Sequence, residues 1–207
     1  MKKVMATLIA LICAITMCLS GTYPVFAAGE VSTAYGTIPA DYADASAYPF
    51  VVFKSDGTFV GAYNAWAVNG GVGALQACPD GGTVLMRANF NAGWVDKKMD
   101  YFNLCYDVGL KNIDLGGYEF NLTQHNSYSM FNYFAKGAGG TLSIVVKNGS
   151  IVYGRNSVIG FSQNANGKNN TANFTFDNVT FKDTTASQGG SPQHKIISYG
   201  VAAVDGY

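Results

Sequence analysis

Short runs in which apolar and polar residues alternate fill the second half of the chain, and Gly and Asn interrupt them. Alternation with a period of two is typical of a β-strand that buries one of its faces. Three of these runs superimpose at a spacing of about thirty residues, which indicates an internal repeat. The runs are Ile113–Phe120, Ile144–Ile151 and Phe174–Phe181.

The superposition produces three apolar columns, which we expect to face a common core. The columns are Ile113, Ile144 and Phe174, then Leu115, Val146 and Phe176, then Phe120, Ile151 and Phe181. The alternation breaks at the same place in each run, at Gly117, Asn148 and Asn178. Because Gly and Asn adopt a left-handed backbone at low cost, we expect a corner at this position. Asn148 and Asn178 are then expected to stack and to hydrogen-bond through their amides.

A repeat of strands and turns without a helical pattern predicts an all-β fold, and its length suits a three-sided parallel β-helix. In that fold, residues one repeat apart stack at about 4.8 Å. Three further runs, each following a core strand, are assigned to a second side of the coil. These are Ser129–Phe134, Ser157–Phe161 and Lys195–Tyr199. The segments 136–140, 164–170 and 184–193 are predicted loops, where binding is expected.

The first half of the chain has a different pattern. Residues 29–47 show little apolar periodicity and are predicted to form a flexible N-terminal segment. Residues 48–82 are predicted to cap the coil with a hairpin and a short helix. The hairpin is expected to turn at Asp56-Gly57, and the helical pattern within Ala62–Ala77 is weakened by glycines.

Residues 83–207 are assigned to the parallel β-helix. Its last residues, Val201–Tyr207, have the pattern of another strand that no cap follows. An uncapped end exposes an open core and an unpaired strand edge. We therefore expect either a partner at this end or a longer gene product of which the chain is the front part.

Residues 1–28 have the pattern of a secretory signal peptide, with Lys2 and Lys3 before an apolar run and small residues after it. The alternative is an uncleaved anchor, but the apolar run is shorter than a span of roughly 20 residues. We therefore expect a secreted or cell-surface protein with no membrane span after cleavage. The mature chain keeps Cys78 and Cys105, which either pair in an oxidising compartment or stay as two buried thiols.

Composition narrows the classes of function. The chain of 207 residues carries no net charge, and only 13% of its residues are charged. A dedicated nucleic-acid binder would show a basic excess, so that class is excluded. Neither Cys78 nor Cys105 has a metal-ligand spacing, and Gly70–Gly73 lacks the strand and the Lys or Ser/Thr of a phosphate-binding loop. We expect no metal site and no cofactor.

Four stretches of sequence resemble the N-terminal part of pectin-lyase-like right-handed β-helix proteins, which occur among secreted and surface proteins of bacteria. The stretches are GGTVLM, NIDLGGYEFNL, GGTLSIVVKNGSIVYG and FTFDNVTF, within residues 80–207. The resemblance implies a right-handed coil and contact with carbohydrate. We expect a structural or binding module that contacts polysaccharide or glycan. The alternative is a carbohydrate-active enzyme, either a polysaccharide lyase or a glycoside hydrolase.

The candidate catalytic groups are Asp114 and Glu119, which are expected to face outward on two sides of one corner. Paired carboxylates about 5 to 9.5 Å apart cleave glycosidic bonds, although two solvated surface acids would give the same pattern. Lys147 and Asp177 are candidates for binding an anionic sugar, or they form a cross-turn ion pair.

Two kinds of ring side chain are further candidates. Tyr128 and Tyr133 belong to a set of aromatic residues among loops and strand ends that either stack on sugars or pack the loops onto the coil. The other members are Trp94, Tyr101, Tyr106 and Tyr153. His125 and His194 are predicted to lie in exposed loops about two turns apart, where a shared site is the alternative to two solvated side chains.

Overall fold

The computed structural model describes residues 29–68, 71–93, 109–123, 129–135, 140–154, 157–163, 170–184 and 196–201. Within these ranges the chain forms strands, one short α-helix and one turn of 3-10 helix, so the all-β prediction is confirmed. No helix in these ranges is long and apolar enough to cross a bilayer. The predicted signal peptide lies outside the described residues.

The described ranges contain thirteen strands. They are β1 (Val31–Thr33), β2 (Gly36–Ile38), β3 (Phe50–Phe53), β4 (Phe59–Tyr63), β5 (Thr83–Met86), β6 (Phe90–Asn91), β7 (Gly109–Asp114), β8 (Glu119–Asn121), β9 (Phe131–Ala135), β10 (Gly140–Tyr153), β11 (Ile159–Gln163), β12 (Asn170–Asp183) and β13 (Ile197–Val201). The 3-10 turn is Ala40–Tyr42 and the helix α1 is Ala74–Ala77.

The largest sheet is mixed. Strand β3 pairs antiparallel with β4 and β5, whereas β5–β7, β7–β10, β6–β8, β8–β10 and β10–β12 are parallel. Strand β10 is 14 residues long, and its first part pairs with β7 while its part after Asn148 pairs with β8. The strand therefore belongs to two stacks of parallel strands that meet at Asn148.

A third stack of parallel strands consists of β9, β11 and β13. Its register places Phe131, Ile159 and Ile197 side by side. The three runs predicted to form a second side of the coil contain these strands. The prediction that the three runs lie next to one another is confirmed.

The register between β10 and β12 agrees with the predicted repeat. Ile144 pairs with Phe174, Val146 with Phe176 and Ile151 with Phe181. Ile151 also pairs with Phe120 on its other side. Side chains that alternate inward along β10 are buried, namely Leu142, Ile144, Val146 and Ile151.

The predicted register of β7 is wrong by two residues. Ile113 pairs with Val146 instead of Ile144. The cause lies at the corner, where four residues, 115–118, join β7 to β8, while two residues turn the corresponding corner of β10. Gly116 and Gly117 both have a left-handed backbone, with φ of 60° and 86°, which lets the longer corner fold back before β8 begins.

Aromatic side chains fill the part of the main core that lies between β3, β8 and β9. Trp66, Phe50, Phe120 and Phe131 are all buried, and the Trp66 ring lies 5.2 Å from Phe120 and 5.5 Å from Phe50. The Trp66 indole N–H donates to the Met130 carbonyl at 2.9 Å, so its polar atom is satisfied inside the core.

The predicted hairpin is confirmed as β3 and β4, with Gly57 in the left-handed region at φ 85°. The helix is shorter than its pattern suggested, because Ala74–Ala77 is the α-helical part of the described residues in this stretch. The Gln76 side chain fixes the backbone that precedes the helix. Its Oε1 accepts from the Gly73 N–H at 2.6 Å, and its amide donates to the Val68 carbonyl at 2.6 Å.

Residues 29–47 are the main departure from the sequence analysis. They were predicted to be flexible, but they form the β1–β2 hairpin and the 3-10 turn. Ile38 is fully buried with Val51 and Phe53 in a second, smaller core, so this segment covers the outer face of β3. The segment carries a residue of the candidate site described next.

Candidate functional site

A ladder of side-chain amides marks the corner between two stacks of parallel strands. Asn148 and Asn178 are the two non-glycine residues with positive φ among the described residues, at 57° and 53°. The Asn178 Nδ2 donates to the Asn148 Oδ1 at 3.2 Å. The predicted stacking of these two residues is confirmed, and the left-handed corner explains why Asn occurs at both positions.

Asp114, the register partner of Lys147, continues this ladder with its carboxylate. The Asn148 Nδ2 lies 3.3 and 3.4 Å from the two carboxylate oxygens of Asp114. The Gly116 N–H and the Tyr35 hydroxyl also donate to this carboxylate. The side chain of Asp114 is only 7% exposed, so the expectation that it faces solvent is wrong.

Tyr35 reaches Asp114 from the turn of the β1–β2 hairpin. The Thr33 hydroxyl organises this turn, because it accepts from the N–H groups of Tyr35 and Gly36 at 3.1 Å and donates to the Gly36 carbonyl at 2.7 Å. A Cβ on Gly36 would lie 2.3 Å from the Gly57 carbonyl oxygen. Glycine at position 36 therefore lets the hairpin tip approach the β3–β4 turn, which fixes where Tyr35 points.

Lys147 lies between two carboxylates in the sheet register. It pairs with Asp114 on β7 and with Asp177 on β12. The Lys147 Nζ is 5.3 Å from the centre of the Tyr35 ring, which is within cation–π range. A hydrogen bond with Tyr35 is the largest cause that raises the pKa of Lys147, and the charges of Asp114 and Asp177 add to it.

The structure thus brings three of the predicted site residues and the two corner asparagines together with Tyr35, which the sequence missed. We call this set the corner cluster; its members are Tyr35, Asp114, Lys147, Asn148, Asp177 and Asn178. Burial and the hydrogen bond to Asp114 raise the pKa of Tyr35, so its phenol is protonated near neutral pH. The phenol acts there as a hydrogen-bond donor, and Lys147 stays an ammonium ion.

Glu119, the other predicted catalytic group, has different partners. Its carboxylate forms an ion pair of 2.9 Å with Lys182, across the middle strand β10. Its N–H donates to the Asn89 Oδ1 at 2.9 Å. The two predicted catalytic carboxylates therefore share no partner. Asp114 accepts hydrogen bonds within the corner cluster, and Glu119 is paired with Lys182.

A polar cleft lies beside the start of β6. It has a volume of about 400 Å³, and we call it the amide cleft. The described residues that line it are Ser46, Ala47, Pro49, Asn64, Ala88, Asn89, Phe90 and Asn91. None of these residues has an ionisable side chain, and four of them present a hydroxyl or an amide.

Two neighbouring contacts hold one wall of the amide cleft. The Arg87 guanidinium donates to the carbonyls of Tyr42 and Ala43, which ties the segment before Ser46 to the end of β5. The Asp44 Oδ1 accepts from the N–H and the hydroxyl of Ser46 at 2.8 and 2.7 Å. These bonds lower the pKa of Asp44, and they fix Ser46 at the rim of the cleft.

The opposite wall belongs to β6. Phe90 is buried with its ring 4.7 Å from that of Phe50, so it anchors the strand to the aromatic core. Asn89 uses its Oδ1 to accept from Glu119, which leaves the amide NH₂ as its donor group. The side chains of Asn64 and Asn91 are exposed. No sequence pattern marks this cleft, because its residues come from three separated segments.

Other predicted site residues lie elsewhere. Tyr153 is buried and packs against Phe181, with ring centres 6.5 Å apart, so it belongs to the core and not to an exposed aromatic set. Cys78 is buried in the core. The remaining candidates fall outside the described residues. Tyr133 is included among them because its backbone belongs to β9 but its side chain is not described. They are Trp94, Tyr101, Cys105, Tyr106, His125, Tyr128, Tyr133 and His194.

Among the described residues, no group of three or more His, Cys, Asp or Glu side chains is placed to hold a metal ion. Known proteins provide no template for the chain, since no family model matches its sequence and no curated protein or solved structure is significantly similar to it. The resemblance to pectin-lyase-like proteins stays a prediction, and the function has to be inferred from the residues of this chain.

Proposed function

We propose that the chain is a secreted or cell-surface module, built as a right-handed parallel β-helix, that binds neutral glycans without cleaving them. The observation that carries the binding role is the amide cleft, whose described lining is uncharged and rich in side-chain amides. The pattern of residues 1–28 supports export.

Three stacks of parallel strands support the β-helix. Residues about thirty apart are paired in β10 and β12, as expected when a chain winds repeatedly round one axis. The corner at Asn148 and Asn178 supplies the bend between two stacks. Connections between parallel strands of one sheet are right-handed in nearly all proteins, which supports that hand for the coil.

The chemistry of the amide cleft suits sugar hydroxyls. Each sugar hydroxyl donates one hydrogen bond and accepts others, and a side-chain amide offers both a donor and an acceptor. Asn64 and Asn91 place such groups around one cleft, with the donor group of Asn89 beside them. Ser46 adds a hydroxyl oxygen that can accept a hydrogen bond, because its proton is donated to Asp44. An anionic sugar would need a cation there, and the described lining has none. The proposal is therefore a neutral glycan.

The alternative, a carbohydrate-active enzyme, would use the predicted carboxylates. Asp114 accepts hydrogen bonds from Tyr35, Gly116 and Asn148, which leaves little of it for a substrate. Glu119 is paired with Lys182. These partners favour the binding role over catalysis.

Binding to a panel of neutral and uronic-acid glycans tests this proposal, followed by calorimetry on any glycan that binds. We expect a neutral glycan to bind, and we expect Asn64→Ala and Asn91→Ala each to weaken binding about three- to tenfold through loss of a hydrogen bond. The control is Asn173→Ala, an exposed asparagine on β12 outside the cleft lining, which should leave the affinity unchanged. Binding of uronic acids alone, or release of new reducing ends, would refute the proposal.

A further inference from the structure

Asn89 offers a ligand in the amide cleft one kind of hydrogen bond. Its Oδ1 accepts from the Glu119 N–H at 2.9 Å. A backbone N–H is accepted by the oxygen of a side-chain amide and not by its nitrogen, so this contact fixes which way the Asn89 amide points. The side chain is exposed and lines the cleft. Asn89 therefore presents its NH₂ group there as a donor.

Ser46 has the opposite role. Its hydroxyl donates to the Asp44 Oδ1 at 2.7 Å, and an ionised carboxylate only accepts. The bonds from Ser46, and after them the bond from the Ala47 N–H, lower the pKa of Asp44, so this carboxylate is ionised near neutral pH. Because the Ser46 proton is committed to Asp44, the Ser46 Oγ presents lone pairs to the cleft as an acceptor.

Small apolar side chains line the cleft beside these polar groups. They belong to Ala47, Pro49 and Ala88. The Arg87 N–H donates to the Pro49 carbonyl at 2.8 Å, so the two segments that carry these residues lie next to each other. A methyl group placed against them would leave water, which is favourable.

An acetamido group has the three features that this lining matches. Its N–H donates, its carbonyl accepts and its methyl is apolar. The N–H and the carbonyl of a trans amide point in opposite directions, which suits an acceptor and a donor on opposite walls. A sugar hydroxyl both donates and accepts, so partners with one role each give it no advantage over another hydroxyl.

We propose that the amide cleft binds the acetamido group of an N-acetylated neutral sugar. The acetamido N–H donates to the Ser46 Oγ, and its carbonyl accepts from the Asn89 amide. Its methyl lies against Ala47, Pro49 and Ala88. This inference rests on the proposed glycan binding and names the class of glycan.

Two oligosaccharides test the inference, because they differ only in this group. N-acetylated chitotriose carries an acetamido group on the second carbon of each sugar, where cellotriose carries a hydroxyl. In calorimetry with the full chain, we expect chitotriose to bind about tenfold more tightly or better, through its matched hydrogen bonds and its methyl group.

The outcomes separate this inference from the proposal on which it rests. Equal affinity, or tighter binding of cellotriose, would overturn the acetamido site and leave neutral-glycan binding in place. The same holds if neither sugar binds but another neutral glycan does. If no neutral glycan binds, the proposed function fails and the inference fails with it.

Asn89→Asp tests the donor in the protein. The carboxylate keeps an oxygen for the Glu119 N–H but has no NH₂ group, so the affinity for chitotriose should fall about tenfold at unchanged stability in urea unfolding. Asn173→Asp is the control, because it adds the same charge on β12, outside the cleft lining, and should leave the affinity unchanged. Equal affinities of the two variants would overturn the role of Asn89.

Asp44 is a positioning residue, because it acts through Ser46. In Asp44→Ala the Ser46 hydroxyl is free to donate or to accept, so the preference for chitotriose over cellotriose should fall about three- to tenfold. Asp44→Asn keeps an oxygen that accepts from Ser46 and should retain the preference. A preference in Asp44→Ala equal to that of the wild type would overturn the fixed acceptor at Ser46.

Discussion

The side-chain amide of Asn178 donates to that of Asn148 across the β10–β12 pair at 3.2 Å, and both residues have a left-handed backbone. This one contact joins the repeat in the sequence to the corner in the structure. The ladder of hydrogen bonds continues from Asn148 to Asp114, where the Tyr35 hydroxyl of the β1–β2 hairpin also donates.

The corner at Asn148 should tolerate glycine better than alanine. A left-handed backbone costs about 1–2 kcal/mol for a residue with a Cβ that lacks the help of a local amide, and glycine avoids that cost. We expect Asn148→Ala to lower the free energy of unfolding by about 1–2 kcal/mol more than Asn148→Gly does. Urea unfolding followed by circular dichroism measures both. Equal losses would mean that the backbone conformation contributes nothing.

The hydroxyl of Tyr35 should stabilise the fold through Asp114. Tyr35→Phe keeps the ring near Lys147 and removes one donor from a buried carboxylate, so we expect a loss of about 1–3 kcal/mol in unfolding free energy. Tyr48→Phe is the control, because the Tyr48 hydroxyl has no hydrogen-bond partner among the described residues. A loss as large in Tyr48→Phe as in Tyr35→Phe would argue against the specific contact.

The corner cluster should lose its stabilising effect in alkali. The pKa of Tyr35 is raised above 10.0, first by burial and then by Asp114, and the pKa of Lys147 is raised above 10.5, first by the hydrogen bond with Tyr35. A raised folded-state pKa gives stability that is complete below the unfolded-state value and is lost as the pH passes the folded-state value. The difference in stability between wild type and Tyr35→Phe should therefore be constant below about pH 10 and shrink above it.

Thermal unfolding of both proteins between pH 8 and 12, at constant ionic strength, checks this dependence. The other tyrosines titrate in both proteins, so their contribution cancels in the difference. A difference that grows with pH would have the wrong sign for this cluster.

Gly149 should not accept a side chain. A Cβ there would lie 2.5 Å from the Leu115 Cβ and 2.6 Å from the Tyr118 carbonyl oxygen, so the β7–β8 corner would have to move. We expect Gly149→Ala to cost about 1–3 kcal/mol, as overpacking does. Gly93→Ala is the control, because its Cβ would have no atom of the described residues within 4 Å. Differential scanning calorimetry distinguishes the two, and a Gly149→Ala protein as stable as Gly93→Ala would contradict the close approach.

The sequence predicted what depends on repetition. Ile144, Asn148 and Ile151 lie opposite Phe174, Asn178 and Phe181, because two strands with the same corner residue have one register that buries both apolar columns. The predicted register is wrong at Ile113, because the corner that contains Gly116 and Gly117 is two residues longer than the corner of β10. A count along the sequence does not show which residues belong to a corner.

The sequence did not predict the two sites that form where distant segments of the chain meet. Tyr35 and Asp114 are far apart in the chain, and the strands that carry Tyr35 are three residues long, too short for an alternating pattern. The amide cleft likewise gathers Ser46, Asn64 and Asn91, whose spacing has no period. Both sites form only when residues 29–47 pack on the sheet, because this segment carries Tyr35 and Ser46.

The central claim is that residues about thirty apart lie side by side in parallel strands. Disulfide trapping tests it most directly, because paired Cα atoms about 4.8 Å apart fall within disulfide range. Val145 and Thr175 are register partners, so a Val145→Cys/Thr175→Cys protein should form a crosslink that mass spectrometry identifies after proteolysis. Val145→Cys/Thr180→Cys, whose second position lies beyond the corner, should not form one. A crosslink in the second protein and none in the first would contradict the register on which the fold and the proposed β-helix depend.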